Sequence, residues 1–67
     1  MTPVASSNIA AVGYDPAIGE MHILFHSGRL YAYRVSFGTY QGLMNARSKG
    51  RYFAMYIRWR YRGRLIG

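Results

Sequence analysis

The chain has 67 residues, enough for one domain close to the smallest size at which a hydrophobic core alone stabilises a fold. It contains no cysteine, which excludes disulfides, thiolate metal sites and cysteine nucleophiles. Nine Lys and Arg residues oppose two acidic residues, and the net charge of +7 is typical of chains that attract polyanions or acidic protein surfaces. No apolar run approaches the roughly 18 residues of a membrane span, and the first residues do not resemble a signal peptide, so we expect a cytoplasmic protein with no membrane partner.

The N-terminal part predicts a lead-in followed by one strand and a turn. Residues 1–7 are expected to be a loose lead-in without regular structure. The segment Ile9–Tyr14 is short and largely apolar, which indicates a first strand. Asp15 directly precedes Pro16 and initiates a turn, in which Gly19 can adopt a positive φ.

Two segments with alternating large side chains, 21–26 and 30–35, are separated by a short turn that contains Gly28. A period of two places Tyr31 and Tyr33 on the same face of a strand. Two such segments joined by a short glycine-containing turn indicate a β-hairpin. Together with the first strand they predict a three-stranded antiparallel meander.

The pair Tyr31 and Tyr33 has two interpretations. The rings can be core, with hydroxyl groups at the rim, or they can form a platform on which nucleic-acid bases stack. The core interpretation is favoured because a domain this small has few other large residues to cover its sheet. We therefore expect at least one of the two rings to be largely buried against helical side chains. The expected contacts are Tyr40, Leu43, Phe53 or Ile57.

The hydrophobic period changes after the meander and predicts two helices. A short amphipathic helix is expected over Gly38–Ala46, with Gly42 marking a close approach to the sheet. Ser48 is the expected N-cap of a second helix that continues to about Arg58. The predicted fold class is therefore α+β, a three-stranded antiparallel meander packed on one face by two C-terminal helices.

Residues 59–67 are expected to form an extended basic tail. Seven of the nine basic residues lie at or after Arg47, and this part of the chain contains no acidic residue. The segment 57–62 also alternates between aromatic or apolar residues and arginines, so it would suit a β-strand equally well. Arginines interleaved with flat rings suit phosphate neutralisation and base stacking. The predicted binding residues are Arg51, Arg58, Trp59, Arg60, Tyr61, Arg62 and Arg64.

The sequence offers no arrangement that indicates catalysis. His22 and His26 would lie about 13 Å apart on a strand, which is too far for a shared metal ion, so we expect them to be surface residues on the solvent side of the sheet. Asp15 and Glu20 have no patterned base or nucleophile nearby, and the glycines form no phosphate-binding motif. We expect no enzyme activity, no metal and no cofactor.

An ordered set of residues runs through nearly the whole chain: Val4, Ser6-Ser7, Ile9, Val12-Gly13-Tyr14-Asp15, Phe25, Ser27-Gly28, Tyr31-Ala32-Tyr33, Val35, Tyr40, Leu43, Ala46, Ser48, Gly50, Tyr52-Phe53, Ile57-Arg58 and Tyr61. This set resembles the KTSC domain, a family named after the C-terminus of some lysyl-tRNA synthetases that also occurs as free-standing small proteins of bacteria and phages. The resemblance implies a single domain over residues 1–67 and suggests nucleic-acid binding. The chain departs from the family pattern at Ser36, where Pro is usual, and at Ala54, where Asn is common.

Two functions remain open from the sequence. The first is a small basic module that binds RNA or another polyanion, without catalytic activity. The alternative is a protein-interaction module, encoded by a bacterium or a phage, that docks its Arg and aromatic surface onto an acidic site of a larger host complex. Trp, Tyr and Arg are enriched in protein hot spots as well as in nucleic-acid sites, so the tail suits both.

Overall fold

The computed structural model describes residues 1–67 and has an antiparallel five-stranded sheet with two helices. The strands are β1 Thr2–Pro3, β2 Ile9–Asp15, β3 Glu20–Phe25, β4 Leu30–Arg34 and β5 Arg64–Leu65, and the helices are α1 Phe37–Asn45 and α2 Lys49–Tyr56. Neighbouring strands follow the order β1-β2-β3-β4-β5 across the sheet. Neither helix has the length and apolar character needed to cross a membrane.

The central three strands form the predicted meander. Val12 lies opposite Ile23, and Ile23 lies opposite Tyr31, so these side chains share one face of the sheet. Gly19 and Gly28 sit in the two turns with φ of +64° and +93°, a region that other residues rarely adopt. The α+β class, with an antiparallel sheet and two helices, is confirmed.

The prediction of three strands is wrong, because each end of the chain adds an edge strand. Residues 1–7, expected to be a loose lead-in, contain β1, which pairs Thr2 with Val12. Residues 59–67, expected to be an extended tail, contain β5, which pairs Arg64 with Ala32. Strands of two residues carry no detectable alternation, so a period of two does not reveal them.

The core lies between one face of the sheet and the two helices. Tyr33 is buried, with 6% of its surface exposed, and its ring meets the ring of Phe53 edge-on at 5.6 Å between centroids. Tyr31 is only partly buried and stacks on Tyr33 at 6.3 Å. Tyr33 therefore belongs to the core, while Tyr31 lies at its border. The buried cluster consists of Ile9, Val12, Met21, Ile23, Tyr33, Val35, Leu43, Phe53 and Ile57.

Both helices begin at a serine cap. Ser36 Oγ accepts a hydrogen bond from Thr39 N at 3.2 Å, and Ser48 Oγ accepts one from Arg51 N at 3.3 Å. Ser36 has a φ of −68°, close to the value that a proline ring imposes. The backbone at Ser36 is therefore compatible with the Pro that the resemblance leads one to expect there, and the serine supplies a side-chain cap.

Helix α2 ends at Tyr56, about two residues before the predicted end. Arg60 N and Tyr61 N both donate hydrogen bonds to Ile57 O, at 3.2 and 3.0 Å, so turns follow the helix directly. These bonds hold residues 57–61 in turns, and the alternative of a strand over 57–62 is wrong.

Gly42 marks a close approach, although its neighbour is not the sheet. A Cβ built on Gly42 would collide with the hydroxyl group and ring of Tyr52 in α2. The glycine thus lets the two helices approach each other, and the expected contact with the sheet is corrected to a contact between helices.

Candidate nucleic-acid interface

An open groove of about 560 Å³ lies between the β3–β4 turn, the loop before β2 and helix α2. Four rings line it, those of Phe25, Tyr31, Tyr33 and Phe53, and we call it the aromatic groove. Phe25 meets Tyr31 edge-on at 5.9 Å and Phe53 edge-on at 5.5 Å, so the rings hold one another in place. The groove therefore combines four mutually packed rings with a comparable share of polar surface.

The wall formed by residues 7–9 is held by the buried side chain of Ile9 and by hydrogen bonds. Ser6 Oγ accepts from Ile9 N at 3.2 Å, and His26 N donates to Asn8 O at 2.8 Å. The side chain of His26 also contacts this loop, with Nε2 2.9 Å from Ser6 O. His26 therefore ties the β3–β4 turn to the loop before β2.

Two arginines, Arg29 and Arg58, lie along the aromatic groove, and no acidic residue lines it. The Arg58 guanidinium lies 5.5 Å from the ring centroid of Phe53, a distance at which a cation is attracted to the ring face. Burial, and secondarily the neighbouring Tyr31, raises the pKa of Tyr33, while Arg58 acts in the opposite direction. This rise extends the pH range over which the phenol of Tyr33 stays protonated.

A second cavity of about 500 Å³, which we call the tail cavity, lies beside the C-terminal segment. Four arginines line it, namely Arg34, Arg60, Arg62 and Arg64, together with Tyr61 and Gly63. Three of these arginines were predicted as binding residues. Arg34 was not, because it lies alone on β4 and joins the others only when β5 returns to the sheet.

Trp59 protrudes beside these arginines, with 86% of its surface exposed. Its neighbours Arg58 and Arg60 are exposed as well. Tyr61, in contrast, is partly buried against the hydrophobic core. Of the two predicted tail rings, Trp59 is thus presented to solvent and Tyr61 mainly holds the tail on the domain.

Arg64 differs from the other tail arginines because an acidic residue holds it. Its Nη2 lies 3.1 Å from Glu20 Oε2, and His22 Nε2 lies 2.8 Å from Glu20 Oε1. Glu20 is only 7% exposed, and hydrogen bonds from His22 and then Arg64 lower the pKa of its carboxyl group. Arg64 therefore has a structural partner that the sequence analysis did not anticipate. His22 lies on the face of the sheet opposite the helices, as expected, and it is partly buried by its contact with Glu20.

Gly63 allows the C-terminal segment to cross the core. A Cβ built there would lie 2.7 Å from Cε1 of Tyr33, so the backbone packs directly on the ring. Because β5 follows immediately, this contact sets the path by which the segment reaches the edge of β4. No sequence pattern identified this role of Gly63.

The remaining predicted residue, Arg51, lies in a different place. Together with Arg47 and Lys49 it lines a third cavity of about 360 Å³ at the start of α2, which we call the helix cavity. Ser7, Asn8 and Gly50 line both the helix cavity and the aromatic groove. Gly63 lines both the aromatic groove and the tail cavity. The three cavities therefore adjoin one another, with the aromatic groove in the middle.

Comparisons with known proteins agree in family and fold. The model of the KTSC domain family matches residues 5–61. The crystal structure of a KTSC domain protein from Yersinia pestis has 39% sequence identity to this chain and superposes with a TM-score of 0.94, covering 98% of this chain and 94% of that one. The comparison with curated proteins gives no match.

Proposed function

The chain belongs to the KTSC domain family, and we propose that it is a non-catalytic module that binds RNA through backbone phosphates and unpaired bases. One observation carries the proposal: all nine basic residues line the three adjoining cavities, and neither acidic residue does. Two of the nine lie in the aromatic groove, four in the tail cavity and three in the helix cavity. A continuous basic surface of this kind attracts a polyanion.

The tail cavity supports phosphate binding most directly. Glu20 is the acidic partner of Arg64, while Arg34, Arg60 and Arg62 form no ion pair. A guanidinium group offers a planar fork of donors that matches the oxygens of a phosphate. These three arginines, and Arg58 beside them, supply the positive charge that a single strand needs.

Trp59 supports contact with bases. An indole ring that is 86% exposed forms no part of the core, and it stands between two exposed arginines. Single-stranded nucleic acids are bound by aromatic rings that stack on bases beside cations that contact phosphates. The same arrangement at Arg58, Trp59 and Arg60 favours an unpaired strand over a duplex, whose bases are already stacked.

A salt titration tests the proposal. Each phosphate contact to a single strand adds about −0.7 to the slope of log K against log salt, so contacts from Arg34, Arg58, Arg60 and Arg62 give a slope near −3. We expect Arg62→Ser to bring the slope to about −2. Trp59→Ala should weaken binding by about 1–3 kcal/mol and leave the slope unchanged, since stacking releases no counterions.

Arg62→Lys is the matched control, because it keeps the positive charge at the same position. It should leave the slope near −3. The absence of binding to mixed-sequence RNA at low ionic strength would contradict the proposal and favour docking to an acidic protein surface.

A further inference from the structure

We propose that the aromatic groove holds one unpaired base of a bound RNA strand, at a position separate from Trp59. This inference rests on the proposed function and adds a base-binding site to it. The first support is position. The groove shares walls with the helix cavity on one side and with the tail cavity on the other. A strand that runs from the tail cavity along these shared walls passes over the groove.

The rings of the groove suit a planar ligand. Tyr33 and Phe53 are buried and form a fixed floor, while Phe25 and Tyr31 are only partly buried. The stacked ring of Tyr33 and the edge-on ring of Phe25 hold the side chain of Tyr31. The side chain of Tyr31 therefore does not have to become ordered when a base binds. Stacking on a ring that is already fixed loses little conformational entropy.

Polar groups at the rim suit the edge of a base. The side chains of Ser7 and Asn8 are exposed at the groove and form no hydrogen bond within the chain, although the backbone oxygen of Asn8 is bonded to His26 N. An amide group both donates and accepts, as the edges of bases do. The volume of about 560 Å³ lies within the range of small-molecule sites, so the groove has room for one nucleotide.

The positive charge of the groove favours a nucleotide over an uncharged aromatic ligand. Arg29 and Arg58 lie at its rim, and no acidic residue does. Arg58 lies over Phe53 at 5.5 Å and leads along the chain to Trp59 and the tail cavity. A base in the groove would therefore have its own phosphate beside Arg58.

The test fills the groove without removing any core side chain. Ala54 is an exposed residue of α2 that lines the groove, so Ala54→Leu places extra volume there. Ala17→Leu, in the exposed β2–β3 turn at the other end of the meander, is the matched control. Both changes are made in a Trp59→Ala background, which removes the proposed stacking ring outside the groove.

Affinity is measured for an RNA of about eight nucleotides and for an abasic oligomer of the same length and charge. Trp59→Ala and its Ala17→Leu derivative should still prefer the RNA with bases, and Ala54→Leu should reduce that preference by roughly 5- to 150-fold, as expected for one stacked base. Binding of the abasic oligomer should remain unchanged. Equal preferences in the Ala54→Leu and Ala17→Leu proteins would overturn the base site while leaving RNA binding intact. Failure of every protein, wild type included, to bind either oligomer at low salt would overturn the proposed function itself.

The melting temperature of the Ala54→Leu protein serves as the folding control. Should it fall, Ala54→Gln fills part of the same space with an unbranched side chain that favours helices. The same loss of base preference in that variant supports the groove site, and an unchanged preference contradicts it.

Discussion

Replacement of Gly63 by Ala tests how the C-terminal segment reaches the sheet. The new Cβ would lie 2.7 Å from Cε1 of Tyr33 and 2.8 Å from its Cζ and Oη, so the ring or the backbone must move. The ring has little room, because Tyr33 is buried against Phe53. Overpacking of a core costs about 1–3 kcal/mol, and we expect Gly63→Ala to lower the free energy of unfolding by that amount. In a domain of this size each kcal/mol corresponds to about 4–8 °C in melting temperature.

Urea unfolding followed by circular dichroism measures the effect, with Gly38→Ala as the matched control. A Cβ on Gly38 has Ser36 Oγ as its nearest neighbour at 3.7 Å, an ordinary contact, and Gly38 lies in α1. Ala is favoured over Gly in a helix by up to about 1 kcal/mol, so this control should be neutral or stabilising. Neither glycine has a positive φ, and backbone strain contributes to neither result. A Gly63→Ala protein as stable as wild type would refute the packing argument.

Two further predictions concern stability. Tyr33→Ala should lower the free energy of unfolding by about 3–5 kcal/mol, as loss of a buried aromatic ring does. Tyr31→Ala should lower it less, because Tyr31 is only partly buried. Equal losses of stability in urea unfolding would contradict this assignment. Because the pKa of Glu20 is lowered in the fold from its usual value of 4.5, its contribution to stability is present above that value and is lost as the pH falls through the lower pKa of the folded protein. Urea midpoints measured from pH 6 down to the acid range should therefore fall more steeply in wild type than in Glu20→Gln, and parallel curves would be evidence against the role of this carboxylate.

Local patterns sufficed to predict the centre of the fold. Alternation in 21–26 and 30–35 identified the hairpin, and Ser48 was identified as a cap because its side chain acts on residues three positions away. The edge strands were missed because pairing at Thr2 and Arg64 depends on partners far along the chain. Such pairs have no local signature.

In the candidate site too, features with a local sequence pattern could be predicted and features that depend on distant residues could not. The acid-free run of arginines is visible in the sequence, so the basic character of the C-terminal segment could be predicted. The aromatic groove could not, because it combines Asn8, Arg29 and Ala54 from three separate segments. The pairing of Arg64 with Glu20 also escaped prediction, since the two residues lie 44 positions apart. Net charge alone does not indicate that Arg64 forms an ion pair within the fold.

The Glu20–Arg64 pair bears on how the proposed RNA surface is presented. Glu20 alternates with the core-facing Met21, so the ion pair fastens β5 from the face of the sheet opposite the helices. On the core side, Tyr61 and Gly63 pack against the domain. The intervening arginines therefore belong to a segment fixed at both ends, by α2 and by β5. A fixed segment loses less conformational entropy on binding than a disordered tail does, and this favours a preformed surface over one that folds around its ligand.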